Sequence, residues 1–196
     1  MNRLTVACWA ALAAPALSAC SAGVAAGGAA TVGVAAAEER TMGEVVDDTV
    51  ISAQVNSNLL QKNVDLFSKV GVEVVQGRVL LTGVVPKPED RIEAARLAWK
   101  VDGVKEVANE IQVADTSSLL DYARDGWIST QLRSKVLLDK DIRSINYSIE
   151  TVNGVIYLIG IAQNQAELDR VTAYARTIKY VRKVVSYVRV LNRPTA

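Results

Sequence analysis

Two stretches of the chain decide the fold: VEVVQGRVLLTG at residues 72–83 and IETVNGVIYLIG at residues 149–160. In each, two β-rich runs flank a Gln-Gly or Asn-Gly pair, and Asn-Gly in this setting is the strongest short signal for a β-hairpin. The two stretches lie 77 positions apart, and the same shift aligns residues 48–113 with residues 125–190 without a gap. The chain therefore contains two copies of one domain.

The spacing of apolar residues predicts what surrounds each hairpin. In the second copy, two sets recur at helical spacing, one before and one after the hairpin: Ile128, Leu132 and Val136, then Leu168, Val171, Ala175 and Ile178. Residues 181–190 are β-rich and predict a third strand. Each copy is thus predicted to be an α+β domain of order α-β-β-α-β, with a three-stranded mixed sheet packed on two helices.

The composition excludes most familiar enzyme chemistry. The 196 residues contain no histidine, and the two cysteines, Cys8 and Cys20, both lie in the first 20 residues. Nucleophile-His arrangements and His-containing zinc sites are therefore absent, as are the phosphate-binding and dinucleotide-binding glycine motifs. Glu73 and Glu150 hold equivalent strand positions, and no residue nearby in sequence is expected to perturb their pKa values. We expect a non-enzymatic protein with no metal site and no cofactor.

The N-terminus reads as an export signal. Arg3 precedes an apolar run at residues 4–17 that is too short and interrupted to be a permanent span. Leu17-Ser18-Ala19-Cys20 resembles the bacterial lipobox, which implies a signal peptide at residues 1–19 and a lipidated Cys20. By resemblance to proteobacterial lipoproteins, Ser21 favours transfer to the outer membrane, so we expect a lipid-anchored protein on its periplasmic face. The alternative is an ordinary signal that ends at Ala19 and releases a soluble periplasmic product.

Four segments follow the predicted signal peptide. Residues 20–43 are rich in Ala and Gly and are predicted to be a flexible tether. Alternatively, its valines and alanines lie against the membrane or the first domain. The first domain is predicted at residues 44–114 and the second at residues 122–193, with a linker at residues 115–121.

Several motifs resemble the BON domain (bacterial OsmY and nodulation). They are the two hairpins, the closing stretch VDGVKEVANEIQV at residues 101–113, and DGWISTQLRSKVLL at residues 125–138. Two such domains behind a lipobox resemble the dual-BON lipoproteins. The resemblance implies a phospholipid-binding protein of the inner leaflet of the outer membrane that supports envelope integrity. One departure is Tyr180, which replaces the family glycine present as Gly103 in the first copy, so the usual turn at this loop is in doubt.

The two copies carry different charges. Residues 48–113 hold 8 Lys/Arg and 9 Asp/Glu, whereas residues 124–193 hold 12 Lys/Arg and 6 Asp/Glu. A basic domain attracts anionic lipid headgroups or nucleic acid, and the export signal favours an anionic phospholipid membrane and no nucleic acid. The alternative is a solvated basic face that only aids solubility.

Trp127 is the main candidate for membrane contact. It lies at the start of the second copy's first helix, one position before the predicted core stripe, where an amphipathic ring suits the headgroup level. The predicted lipid-binding residues are Trp127, Arg124, Arg133, Lys135 and Ile128. The alternative is that Trp127 forms the edge of the core or covers a seam between the domains.

The first copy carries a different apolar patch. Ile92, Arg96 and Trp99 recur at helical spacing, and their counterparts Asp169 and Arg176 are polar. The pattern predicts a patch that docks the other domain or an envelope protein partner. Alternatively, the helix is rotated and buries Trp99. This patch motivates a second functional hypothesis, a tethered periplasmic adaptor whose BON-like domains do not recognise lipid.

Overall fold

Both predicted hairpins form in the computed structural model, which describes residues 40–115 and 119–191. The predicted signal peptide, Cys20 and nearly all of the predicted tether lie outside the described residues. At the hairpin tips, Gln76 and Gly77 have φ of 54° and 76°, and Asn153 and Gly154 have φ of 50° and 74°. Two successive positive φ angles are the geometry of a type I′ turn, which matches the twist of the flanking strands.

The first domain has a mixed sheet and three helices. Its elements are α1 (Met42–Lys62), α2 (Val64–Lys69), β1 (Val70–Val75), β2 (Arg78–Val85), α3 (Pro88–Ala98), β3 (Glu106–Asn109) and β4 (Gln112–Val113). The central strand β2 pairs antiparallel with β1 and parallel with β3 and β4. The sequence predicted one closing strand, but a break at residues 110–111 divides it, so this sheet has four strands.

The second domain repeats the arrangement with an unbroken last strand. Its elements are α4 (Leu119–Leu138), a 3₁₀ turn (Ser144–Asn146), β5 (Tyr147–Val152), β6 (Val155–Ala162), α5 (Gln165–Thr177) and β7 (Lys183–Val190). The strand order is β5-β6-β7, with the first pair antiparallel and the second parallel. The predicted α+β class is confirmed.

Local signals set the helix ends. Thr41 and Glu44 form a reciprocal capping box at the start of α1. Pro88 occupies the first turn of α3, where a missing N–H is tolerated. At α5, the side chain of Asn164 accepts the N–H of Glu167 at 2.9 Å.

A buried carboxylate in each domain ties the first helix to the hairpin. Asp125 accepts the backbone N–H groups of Asn153 and Gly154 at 2.6 and 2.8 Å. Asp48 makes the same two bonds to the first hairpin, at 2.7 and 2.8 Å. These contacts give a structural reason for aspartate at equivalent positions of both copies.

The helices of each domain cover one face of its sheet, as predicted. In the second domain the core is formed by the stripes from α4 and α5 packed on inward residues of the strands, including Ile149, Ile156 and Leu158. The first domain has an equivalent core around Val55, Leu59 and Leu81. No helix among the described residues is both long and apolar enough to cross a bilayer.

The opposite faces of the two sheets pack against each other. A third core joins Val75 and Leu80 of the first domain to Tyr157, Ile159 and Ile161 of the second. Both repeats accordingly belong to one compact unit. The order of layers is therefore helices, sheet, sheet, helices, and the interface is built from strands. The Ile92/Trp99 patch takes no part in this shared core, which corrects its predicted role as an interdomain contact.

The interface has approximate two-fold symmetry. The Asn153 amide donates to Gln112 at 2.9 Å, and the Arg189 guanidinium donates to Gln76 at 2.8 Å. Asn153 is the counterpart of Gln76, and Arg189 is the counterpart of Gln112, so the two bonds are equivalent. Such a reciprocal pattern is that of an isologous dimer interface, here formed within one chain.

Candidate functional site

Helix α4 presents Trp127 on the outer surface of the second domain. Ile128, Leu132 and Val136 are buried and fix the rotation of the helix, which leaves the preceding Trp127 45% exposed. Trp127 is therefore neither core nor part of the interdomain seam. Ile128 is 0% exposed, so its predicted contact with lipid is wrong, because it belongs to the core stripe itself.

Trp127 packs beside Tyr180, which lies in the loop before β7. The two ring centroids are 6.3 Å apart with an edge-to-face angle of 69°. Two cations lie over the Tyr180 ring, with Lys179 at 4.7 Å and Arg124 at 5.2 Å from its centroid. Arg124 also bonds Asp121 at 2.7 Å. We call Arg124, Trp127, Lys179 and Tyr180 the aromatic cluster.

The loop at Tyr180 has the same turn as the loop at Gly103, although tyrosine replaces the family glycine there. The φ of Tyr180 is 72°, close to the 89° of its counterpart Gly103. A left-handed conformation is unfavourable for a bulky residue and is retained at sites where the surroundings or function require it. The hydrogen bond and charge of Lys179 lower the pKa of the Tyr180 phenol, and Arg124 adds to this effect. The ring, rather than the turn, is what tyrosine adds here.

The exposed face of α4 carries further apolar residues. At 100° per residue, Leu120, Trp127 and Leu138 fall within about 20° of each other and span about 27 Å of helix. All three are exposed, as is Leu137. We call Leu120, Trp127 and Leu138 the α4 ridge. Neither leucine of this ridge nor Tyr180 was among the predicted lipid-binding residues, although the leucines lie off the core stripe and Tyr180 departs from the family glycine.

The predicted basic residues do not all lie together. The Lys135 ammonium lies 5.8 Å from the centroid of the Tyr174 ring, on the side of α4 that carries Arg124. Arg133 projects about 120° away from Trp127 around the helix. Its guanidinium donates to the Ile149 carbonyl at 2.5 Å and to the Glu150 carboxylate at 3.1 Å. The structure thus groups Arg124 and Lys135 with the α4 ridge and separates Arg133 from it.

A cleft of about 410 Å³ opens beside the aromatic cluster. It is lined by Gln112, Asp121, Arg124, Asp125, Asn153, Gly154, Tyr180 and Arg182. The first domain has an equivalent cleft, also of about 410 Å³, at the corresponding positions. Its lining carries four carboxylates, on Glu44, Asp47, Asp48 and Asp102, against the single cation Lys105. Asp47 and Asp102 stand where the second domain has Arg124 and Lys179, so the charge is reversed.

The patch on α3 is exposed. Ile92 is 68% exposed and Trp99 is 55% exposed, which excludes the alternative that Trp99 is buried in its own core. Arg96 is bound to Glu93 by two hydrogen bonds, at 2.7 and 2.5 Å. The patch therefore consists of two separate apolar side chains beside an ion pair.

Glu150 is affected by groups across the interface, contrary to the expectation from its sequence surroundings. Glu73 accepts a hydrogen bond from Ser148 of the other domain at 2.8 Å. Burial raises the pKa of Glu150, and the Glu73 charge raises it further, against the opposing effect of Arg133. The described residues contain no cluster of three or more potential metal ligands of the His, Cys, Asp and Glu types.

Comparison with known proteins agrees with this architecture. The family model of the BON domain matches residues 47–115 and 124–192. The chain belongs to the BON-domain family. It is similar to the outer membrane lipoprotein DolP of Haemophilus influenzae, with 33% identity over 179 residues, 90% of this chain and 91% of DolP.

The chain is also similar to two further proteins. Osmotically-inducible protein Y of Escherichia coli is 30% identical over 145 residues, which cover 73% of this chain and 72% of that protein. An uncharacterised protein from the gshII 5′ region of Anaplasma centrale is 46% identical over 145 residues, covering 74% of this chain and 95% of its own length. The predicted recognition of two BON domains is confirmed.

Proposed function

We propose that this chain is a non-enzymatic envelope lipoprotein that binds anionic phospholipid through its second BON domain and supports outer-membrane integrity. The observation that carries the proposal is the exposed α4 ridge with its flanking cations. In this proposal α4 lies in the plane of the membrane interface, with Trp127 at the level of the headgroups.

The expected contributions to the free energy of binding are of the size that a peripheral membrane contact needs. Burial of most of the Trp127 side chain contributes on the order of 2 kcal/mol. Each basic residue near an anionic surface contributes about 1 kcal/mol. Leu120 and Leu138 add apolar area at both ends of the helix. Neither the apolar nor the electrostatic contribution alone gives tight binding, so both should be required.

The first domain supplies an internal comparison. The counterparts of Leu120, Trp127 and Leu138 are Gly43, Val50 and Gln61, and the counterpart of Arg124 is Asp47. The equivalent face of α1 is therefore less apolar and carries the opposite charge at this position. This difference supports assignment of lipid binding to the second domain alone.

The N-terminal sequence and the resemblance to DolP support the location. DolP is named an outer membrane lipoprotein, and this chain has the lipobox-like Leu17–Cys20. We propose that acylated Cys20 anchors the protein and that residues 20–43 tether the domains at the periplasmic face. The anchor holds the chain at the membrane, while the α4 ridge selects the surface and orientation.

Vesicle sedimentation tests this function without the anchor. A soluble form of residues 40–196 should pellet with phosphatidylglycerol-containing vesicles and not with neutral phosphatidylcholine vesicles. Added salt should weaken the binding, because the attraction is screened over a Debye length. Arg124→Ala should weaken it more than Arg133→Ala, because Arg133 lies away from the ridge. A soluble form that ignores both vesicle types would contradict the proposal.

The alternative function is the tethered adaptor, favoured by the exposure of Ile92 and Trp99. In that case the anchor alone holds the chain at the membrane, and the α3 patch docks an envelope protein. The vesicle experiment separates the two functions, since the adaptor should not sediment with vesicles of any charge.

A further inference from the structure

We propose that the cleft beside Tyr180 binds the phosphodiester headgroup of one anionic phospholipid. The inference rests on the proposed membrane contact of α4 and deepens it. The α4 ridge would supply attachment to the bilayer, whereas the cleft would recognise the chemistry of the headgroup.

The position of the cleft fits this role. Arg124 and Tyr180 belong both to its lining and to the aromatic cluster that contains Trp127. When Trp127 lies at the headgroup level, the cleft opens at the same depth. A phospholipid beside the helix could therefore place its headgroup in the cleft while its acyl chains stay in the bilayer.

Arg182 is the principal anion-binding group of the cleft. Its guanidinium has no hydrogen bond or ion pair within residues 40–115 and 119–191, and the residue is exposed. Its stem lies against the hairpin tip, since a Cβ placed on Gly154 would be 3.1 Å from both Cγ and Cδ of Arg182. Glycine thus leaves room for the arginine stem. A guanidinium held in this way can donate two parallel hydrogen bonds to a phosphate.

The charges around the opening favour an anion. Asp125 is engaged by the two hairpin N–H groups. The opening then carries three cations, on Arg124, Lys179 and Arg182, and one half-buried carboxylate, Asp121, to which Arg124 donates a hydrogen bond. The equivalent cleft of the first domain has the same volume but an acidic lining. It should repel phosphate, so the chain contains a matched control for the proposed site.

The test compares two vesicle types of equal surface charge. One contains phosphatidylglycerol and the other contains cholesteryl hemisuccinate, a carboxylate amphiphile, both in phosphatidylcholine at pH 8. We expect the soluble form to bind the phosphatidylglycerol vesicles about fivefold more tightly, because the Arg182 contact to the phosphodiester in the cleft adds to the surface attraction that both vesicle types share. Arg182→Gln should remove this preference and retain binding to both vesicle types. Lys105→Gln, the matched change in the first domain, should keep it.

Each outcome has a distinct meaning. Equal binding of the wild type to both vesicle types, or a preference that persists in Arg182→Gln, overturns the cleft assignment and leaves the α4 contact standing. If the wild type binds neither vesicle type, the proposed function is overturned as well. Millimolar inorganic phosphate, compared with chloride at equal ionic strength, should not abolish the preference. If it does, the cleft is a site for free phosphate and not for a lipid headgroup.

Discussion

Glu110 and Tyr187 occupy the same position in the two repeats, 77 residues apart, and they form a hydrogen bond with each other across the domain interface. Burial and this carboxylate raise the pKa of Tyr187 to about 12, so the phenol stays protonated and donates. A bond between equivalent residues lies on the approximate two-fold axis. The two BON domains thus meet as the halves of a symmetric dimer, which directs both helical layers outward.

The shared sheet core should couple the unfolding of the two domains. Leu80→Ala removes a fully buried side chain from this core and should cost about 2–5 kcal/mol. In scanning calorimetry we expect one transition for the wild type and two for Leu80→Ala. Leu81→Ala, the matched change in the first domain's own core, should destabilise without this effect on coupling. Two transitions in the wild type would contradict the coupling.

The two hydrogen bonds that Asp125 accepts from the second hairpin should be essential to the stability of the second domain. Asp125→Ala leaves two hairpin N–H groups without their acceptor and should cost about 3 kcal/mol of unfolding free energy. Urea denaturation measures this loss. Asp141→Ala, which changes a carboxylate that is 70% exposed, is the control and should alter stability little. Equal effects of the two changes would contradict the structural role of Asp125.

Interface stability should depend on pH through Glu150. Its pKa is raised above the ordinary value of 4.5, chiefly by burial and then by Glu73. The folded protein therefore holds a proton that the unfolded chain has already lost, so this contribution to stability falls as pH rises from 4.5 through the raised pKa. Glu150→Gln should raise the unfolding free energy at pH 7 and flatten the profile in this window. A lower stability of Glu150→Gln at pH 7 would mean that the Arg133 ion pair dominates.

Tyr180→Gly removes the aromatic ring and should retain the turn, so it tests the role of the ring alone. Glycine already occupies the equivalent turn as Gly103, so the backbone should be retained. The thermal midpoint should stay within about 3 °C of the wild type, because relief of strain offsets lost packing. Vesicle binding should weaken several-fold, whereas Tyr180→Phe, which keeps the ring, should bind nearly as well as the wild type. A large loss of stability in Tyr180→Gly would show that the ring is structural.

Much of the fold follows from the sequence because its signals are local. The hairpin tips at Gln76 and Asn153 require turn residues, and the α4 core stripe repeats every four residues. The packing of the sheets is a long-range contact, which no local signal specifies. One signal for this packing was present in β6, where Tyr157, Ile159 and Ile161 alternate with Ile156 and Leu158. Both faces of β6 are therefore apolar, and both must be covered.

The candidate site was less predictable because it is assembled from separate segments. Trp127 was identified from its position before the core stripe, but Ile128 was included although that stripe buries it. Arg133 is close to Trp127 in sequence and points elsewhere, since neighbours in a helix diverge by 100° per residue. Tyr180 reaches Trp127 only through tertiary packing. The reversal of charge between Asp47 and Arg124 could have been found by aligning the repeats position by position.

Vesicle binding by Trp127→Glu measures how much the α4 ridge contributes to lipid binding. Loss of the buried ring removes about 2 kcal/mol, which is roughly a thirtyfold loss of affinity, and the new carboxylate adds repulsion from the anionic surface. Val50→Glu at the equivalent site of the first domain, 49% exposed, and Trp99→Glu should bind as the wild type does. All three should keep the wild-type thermal midpoint. Unchanged binding by folded Trp127→Glu, or loss of binding in Trp99→Glu instead, would contradict lipid binding through the α4 ridge.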